Sequence, residues 1–555
     1  MKRTPLTISL IALAALVGSA PMASSATKTK KTTKATTTKV RATTTVAKSE
    51  PATTAAKSEP ATTAAPASKP LPSGTLRIGV PTDTATLDPQ RESFPTNNTI
   101  FPLYDTLTSL GDKYDAQPWL STSWTKVNAT TWRFTLRKDV TFHDGSAFDA
   151  SVVKANFDRG RSIATSPYRS TFNNITSVTV LDPFAVQLNL AEPSPNLPFL
   201  LASGSGAMIS GKAIAANTDL TRTEAGSGGW IWDRSGFVPA SKQVLRANPN
   251  YWNRDAVRVG TIEVYLFIDV NARLNALQSG QIDMIGDLPA ALRDAATRAG
   301  AIVKADATQT NVLHIIDRAG KKVPALADDR VRFAIGLLID RTAYNRVVEN
   351  GYGNAEQGGF ARKGSPFYAD DLDSANPSTA QVDKAKELLA AAGYPDGFAM
   401  DLPTTPAIAL QTNAIAQMLR EGGIRVNQVT AVSGTYTPRI IAGDFPAYFT
   451  IPSSIDLFTW WRDTVSNKSA RGGAFKLNDL NDLETRYQVA LETSDVKAQA
   501  AAFADLQRDV LLRGVMLPLS GRAHATAYSK RVNVPDNAVW GPDDPAPRPF
   551  FISVS

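Results

Sequence analysis

From Ser73 onward the chain is too long to fold around one hydrophobic core. Cores stop growing at roughly 250–300 residues, and this sequence runs to residue 555. Two or more lobes are therefore expected. There is no cysteine anywhere in it. Disulfides, thiolate metal sites, a thiol nucleophile and a lipid-bearing cysteine are excluded, so burial must hold the lobes together. A hydrophobic content of 43% with 20% charged residues suits a globular chain and excludes a disordered or fibrous one.

The residues before Ser73 read differently. Lys2 and Arg3, an apolar run from Leu6 to Val17, and the small residues Ser24-Ser25-Ala26 have the layout of a signal peptide over residues 1–26, with an uncleaved anchor as the alternative. The apolar run is short against the ~20 residues that a membrane span needs. Residues 27–72 are rich in Ala, Thr, Lys, Pro and Ser, and the unit AKSEPATTA occurs twice in tandem, at Ala47–Ala55 and Ala56–Ala64. Such a segment has nothing to pack and is expected to be a disordered linker. Eleven basic and two acidic residues give residues 1–72 a charge of +9; the whole chain carries +8, which leaves −1 for the remainder. The basic charge thus sits in the tail, and the globular part is not expected to bind nucleic acid.

Within the globular part, period-two alternation marks strands at Leu76, Ile78 and Val80, at Trp132, Phe134 and Leu136, and at Ile262, Val264 and Leu266. Val178 and Val180, then Val186, Leu188 and Leu190, around the turn Asp182-Pro183, predict a hairpin. Val331, Ala334, Ile335, Leu338 and Ile339 predict an amphipathic helix ending before Gly351. Ser378 with Gln381 has a capping-box pattern, for a helix burying Val382, Ala385 and Leu389 and stopping at Gly393. Strands and helices mix throughout, which is an α/β pattern.

Several segments, taken in order, resemble the family 5 extracellular solute-binding proteins, the peptide- and nickel-binding type. They are Leu76-Arg77-Ile78-Gly79 with Thr86-Leu87-Asp88-Pro89; Tyr104-Asp105-Thr106-Leu107; Pro118-Trp119-Leu120 with Ser123-Trp124; and Trp132 to Arg137 followed by Val140-Thr141-Phe142-His143-Asp144-Gly145. Further on stand Asn248-Pro249-Asn250-Tyr251-Trp252, Ser279 to Asp283, Asp329 to Ile335, Ala385 to Leu389, and Ala392-Gly393-Tyr394-Pro395-Asp396-Gly397. The likeness covers roughly residues 74–530. Read by themselves, His143 is a hydrogen-bonded turn histidine, Asp144 and Asp283 satisfy turn or cap amides, and Tyr251 and Trp252 dock a turn. The sequence departs from the family at Gly226-Ser227-Gly228-Gly229-Trp230, where a proline is lost and Trp230 could alter the pocket wall.

The resemblance implies a type II periplasmic-binding-protein-like, two-lobed α/β fold with a hinge and an extra subdomain in the first lobe. It places lobe I at 73–308 plus 522–555 and lobe II at 309–521, with crossovers near Thr308–Leu313 and Pro518–Arg522. It implies an exported protein, periplasmic or associated with the cell envelope. Such a protein would capture an oligopeptide or similar solute for an ABC importer, with permease subunits as partners, as a monomer and without a cofactor. Peptide-binding relatives carry an aspartate that meets the peptide amino terminus, and Asp456 in Ile451–Trp461 has a similar position; a helix N-cap is its alternative role. Trp460 and Trp461 are adjacent, so one is expected to line the cleft. Thr82, Asp83, Trp230, Trp232, Asn311 and Tyr352 complete the candidate ligand-binding set. Binding of a chelated metal or haem-like ligand is the alternative reading. A secreted hydrolase is disfavoured: Gly204-Ser205-Gly206 lacks the nucleophile-elbow spacing, and His143, His314 and His524 lie far apart in sequence. With three histidines and no cysteine, a dedicated zinc site is not expected.

Overall fold

The run of alternating apolar residues at Leu76, Ile78 and Val80 forms the strand Thr75–Val80, with all three side chains buried. The computed structural model describes residues 71–555 apart from 93–98, 113, 287, 364, 366, 433, 453–455, 494, 537 and 539–549, and the side chains of 306–308. The signal-peptide reading and nearly all of the linker reading lie outside the described residues. Thr75–Val80 pairs in parallel with Thr261–Leu266 and with Met284–Ile285. These strands sit in an eight-stranded sheet whose order is Ala447–Thr450, Ile302–Ile315, Met516–Tyr528, Met284–Ile285, Thr75–Val80, Thr261–Leu266, Lys242–Ala247 and Trp230–Trp232.

Two long strands carry that sheet from one core into another. Ile302–Ile315 and Met516–Tyr528 pair antiparallel from Ile302↔Tyr528 to His314↔Met516. Tyr528 packs into a first core with Leu76, Ile78 and Ile262, whereas Leu313, Ile315, Leu517 and Leu519 pack into a second with Val331, Ile335 and Leu389. Between the cores the register shifts twice, at Ala307/Gln309 and at Asn311/Val312. The residues enclosed by these shifts are polar and buried: Gln309, Thr310 and Asn311, with Ser520 opposite Asn311. Such irregularities bend a strand pair and increase its local twist.

The first lobe also carries the expected hairpin, within a four-stranded antiparallel sheet in the order Ser121–Asn128, Thr131–Leu136, Ala185–Leu190, Ile175–Asp182. The helix Ala150–Ser162 contributes Val153 and Phe157 to the core shared with Trp132, Phe134 and Leu188.

Two local expectations need correction. The single helix expected from Val331 towards Gly351 is two, Asp329–Leu337 and Arg341–Val348. Asp340 caps the second by accepting from Ala343 N at 2.7 Å, and that local cap interrupts the helical run. The helix Val382–Ala391 has no side-chain cap from Ser378 or Gln381. Tertiary contacts take their backbones instead: Gln381 N donates to Leu337 O at 2.8 Å, and Ser378 O accepts from Thr342 N at 2.9 Å. That helix does end as expected, with Gly393 at φ +90°.

The scattered motifs of the first lobe converge on one carboxylate. Asp105, 1% exposed, accepts from Trp119 Nε1 at 2.7 Å, Tyr251 OH at 2.8 Å, Ser227 Oγ at 2.9 Å and Trp252 Nε1 at 3.1 Å. Burial raises its pKa above the usual carboxylate range even against these four donors. Ser227 reaches it because Gly226 and Gly228 lie against the preceding helix. A Cβ on Gly226 would fall 1.8 Å from Leu103 O, and one on Gly228 would fall 2.2 Å from Pro102 O. His143 braces the same loop, with Nδ1 2.7 Å from Glu224 Oε2 and Nε2 donating to Gly228 O at 3.0 Å. Burial opposes charge on this ring, but Glu224 and then Gly228 outweigh it and raise the pKa above the ordinary imidazole value.

Asp105→Ala strands four largely buried donors, so a stability loss on the order of 3 kcal/mol is expected in urea unfolding. Tyr251→Phe, which removes one hydrogen bond, should lose about 1 kcal/mol. The His143–Glu224 contribution is complete below the unfolded imidazole pKa of about 6.5 and is lost as pH rises through the raised folded value. His143→Gln should therefore flatten that part of the stability–pH curve; an unchanged curve would refute the ion pair.

Candidate functional site

A recess of about 660 Å3 lies between the region of the four-stranded sheet and the segment Phe458–Leu491. One wall comes from the first lobe, through Asn173, Glu192 and Asn196; the other comes from the second, through Thr459, Trp461, Arg462 and Tyr487. A smaller recess, about 390 Å3, lies beside Trp119 and Phe550 and draws on the first lobe alone. The larger one is the candidate site because segments far apart in sequence shape its two walls, and pockets favour such junctions.

Asp456 stands at the edge of this junction, 6% exposed. Its Oδ1 caps the helix Leu457–Trp460 by accepting from Thr459 N at 3.1 Å, and it also accepts from Asn196 Nδ2 across the lobes at 2.7 Å. Burial is the chief influence on its carboxyl and pushes the pKa up. The N-cap considered from sequence is present, and the second partner of this carboxylate is another part of the chain. Asn196 carried no sequence signal, because an asparagine in Ser194-Pro195-Asn196-Leu197-Pro198 reads as a turn residue.

The premise that adjacent tryptophans cannot share one core is corrected. Trp460 and Trp461 are both buried in one core. Trp460 stacks on Phe360 with ring centroids 4.5 Å apart, and Trp461 stacks on Tyr487 at 5.2 Å. Helical geometry here changes at the pair, from Leu457–Trp460 to a wider turn over Trp461–Val465. The segment is packed on several sides, so adjacent rings can both be internal. Trp461 still borders the recess.

Asn311 and Tyr352 are brought together at the crossover. Asn311 is fully buried and donates to Glu349 Oε1 at 3.0 Å and Ser520 Oγ at 3.1 Å. Tyr352 N donates to Glu349 O at 3.0 Å, and the Tyr352 ring lies 5.2 Å from the Arg293 guanidinium. Arg293 in turn donates to Ala523 O at 2.7 Å on the second crossover strand. Gln357 Nε2 donates to Thr310 Oγ1 at 2.6 Å, and Gln357 lies three residues before the Phe360 that stacks on Trp460. Among the described residues, Asn311 Oδ1, Gln357 Oε1 and Trp460 Nε1 are buried without a partner. Buried polar groups of this kind are met by water or by a bound polar molecule.

The other candidates lie elsewhere. Trp230 is fully buried in the first core, with its indole donating to Val259 O at 3.1 Å and its ring 5.5 Å from Phe550. It is a core side chain and not part of an open wall. Trp232 donates to Gln243 Oε1 at 2.9 Å, and Gln243 reaches Asp83 Oδ1 at 3.4 Å. Thr82 and Asp83 are exposed and share a separate hollow with Lys242 and Gln243. Glu349, Gln357 and Arg293 were missed, because polar residues on helices and turns read as surface until a fold buries them.

Asn311→Asp would set a second carboxylate against Glu349 at the crossover. A stability loss of about 2 kcal/mol at neutral pH is expected, recovering as acid protonates one of the pair; urea midpoints across pH measure it.

Comparisons with known proteins agree with this architecture. Residues 115–466 match the family model described as bacterial extracellular solute-binding proteins, family 5 middle. A glutathione-binding protein, GsiB of Salmonella paratyphi A, is 28% identical over 286 residues, covering 49% of this chain and 52% of its own length. The chain thus spans about half the length of that curated relative. Among solved structures, DppA from Helicobacter pylori in complex with the peptide STSA has a TM-score of 0.64 at 21% identity, covering 87% of this chain and 98% of that one. NikA from Brucella suis in complex with Fe(III)-EDTA has a TM-score of 0.71 at 21% identity, covering 87% and 100%. At these identities the structures establish the fold: a type II periplasmic-binding-protein architecture of mixed α/β content. With more than half of the sequence matched, the chain belongs to the family 5 bacterial extracellular solute-binding proteins.

Proposed function

We propose that this protein captures a small solute, an oligopeptide or a molecule of similar character, between its two lobes and delivers it to the permease of an ABC importer. The observation that carries this reading is the recess of about 660 Å3 whose walls come from both lobes. Outside the lining of that recess, buried unpartnered groups of both kinds occur, acceptors on Asn311 and Gln357 near the crossover and a donor on Trp460. A guest with amide groups offers complementary acceptors and donors, as a peptide backbone does. Relatives named for binding glutathione and a structural neighbour holding a peptide support this solute class. Their names describe binding, which supports capture over catalysis. The layout of Lys2, Arg3 and Leu6–Val17 supports export, and among the described residues no helix is long and apolar enough to cross a membrane.

Mass spectrometry after native purification should detect a retained solute. A peptide library should raise the melting temperature and shift tryptophan emission; ligand at 100 times Kd stabilises by about 2.7 kcal/mol. A response to nickel or iron chelates with none to peptides would replace the peptide reading, and silence to every small solute would overturn capture itself.

A further inference from the structure

We propose that Asn196 and Asp456 form a latch between the lobes that holds the domain towards its closed arrangement with no guest bound. The latch deepens the solute-capture reading, since it would set the starting point of the closure on which capture depends. Asn196 acts in it as a positioning residue.

The contact has what a latch requires. Asn196 Nδ2 lies 2.7 Å from Asp456 Oδ1 and joins residues 260 apart in sequence. Asn196 is itself oriented, because its Oδ1 accepts from Ser194 Oγ at 3.2 Å. Asp456 is fixed by Thr459 N at 3.1 Å. The pair borders the interlobe recess, so parting the lobes breaks the bond and admits water to the carboxyl. Away from the hinge the other contacts across the junction are longer: Lys126 Nζ lies 3.5 Å from Leu491 O, and the Arg362 guanidinium lies 4.5 Å from the Tyr114 ring; beside the hinge, Asn350 Nδ2 donates to Asp294 Oδ2 at 3.0 Å.

Closure and protonation are linked at this site. The groups acting on Asp456 are Thr459, Arg462 and Asp463 on its own segment, and Tyr487 with its neighbour Glu484 on the facing helix. Across the recess stand Asn196 and Glu192, and Lys468 lines the same wall as Arg462. Burial is the largest influence and raises the closed-state pKa. Opening hydrates the carboxyl and returns it towards its ordinary value. Between these two values the closed form holds a proton that the open form releases. The closed population grows as pH falls towards the ordinary carboxylate range and declines as pH rises through the raised closed-state value.

The test uses the full chain without any guest, so its failure is distinct from a failure of solute capture. Because the sequence has no cysteine, Thr179→Cys in the first lobe and Glu387→Cys in the second, both exposed, give a unique pair of spin labels. The distance distribution should show a closed population that Asn196→Ala reduces about tenfold relative to the open one, the effect of a charge-assisted hydrogen bond of about 1.4 kcal/mol. Asp456→Asn retains an oxygen for Thr459 and Asn196, and should stay closed while losing the pH dependence. Melting curves of the variants verify folding. Distributions that superimpose for the parent and Asn196→Ala, or a closed fraction equally pH-dependent in Asp456→Asn, would overturn the latch.

Discussion

The first lobe is organised around a carboxylate buried on four neutral donors. Asp105 draws in Trp119, Ser227, Tyr251 and Trp252 from three separate stretches of chain. Burying a charge without a counter-ion is costly, and the cost is contained only while every donor stays aimed. The arrangement therefore has little tolerance for slack. Gly226 and Gly228 must lie against Leu103 and Pro102, and Gly228 O must accept from both His143 and Asn248. A lobe locked in this way has little internal slack, and the strands that leave it are the places where the pairing register shifts.

Those strands bend where their side chains change character. Apolar residues lead the crossover pair into each core, while Gln309, Thr310, Asn311 and Ser520 occupy the stretch between the register shifts. Polar side chains suit a hinge because a hydrogen bond can exchange partners as the angle changes, whereas interdigitated apolar packing resists such change. Arg293, reaching from the first lobe to Ala523 O and within 3.4 Å of Glu349 O, ties the pivot to both sides.

The fold was legible wherever periodicity and turn chemistry agreed. Trp132-Phe134-Leu136 and Val186-Leu188-Leu190 announced their strands because one face of each is more buried than the other, and Leu76-Ile78-Val80 did so with all three side chains buried; Val180, on the first hairpin strand, is exposed. The motifs also ran in the right order, yet nothing in Tyr104-Asp105-Thr106-Leu107 shows that it meets Asn248-Pro249-Asn250-Tyr251-Trp252, since that meeting is a tertiary event. The same limit governed the site. Asp456 was visible as a polar residue ahead of an aromatic run, but Asn196 was not, because its role exists only when the lobes face each other. Trp230 and the Trp460–Trp461 pair were conspicuous for size and turned out to be core, as large aromatics usually are.

The energetics of the two-lobed arrangement follow from this division. Each lobe is held by extensive burial, whereas the polar contacts across the junction are single hydrogen bonds and ring contacts, such as Asn196 with Asp456, Asn350 and Tyr352 with Asp294, Arg293 with Glu349 O, Lys126 with Leu491 O, and Arg362 over Tyr114. At about 1 kcal/mol each, such contacts sum to a few kcal/mol, far below the energy that holds a core. Moving a two-state equilibrium from 1:99 to 99:1 requires about 5.5 kcal/mol of differential binding, which lies within reach of a modest solute. A wider apolar seam between the lobes would have sealed the domain shut, and a seam without polar contacts would have charged the whole cost of closure to the guest. If the lobes close over a guest as proposed, a sparse polar junction keeps the balance between open and closed within the range that a small molecule can shift.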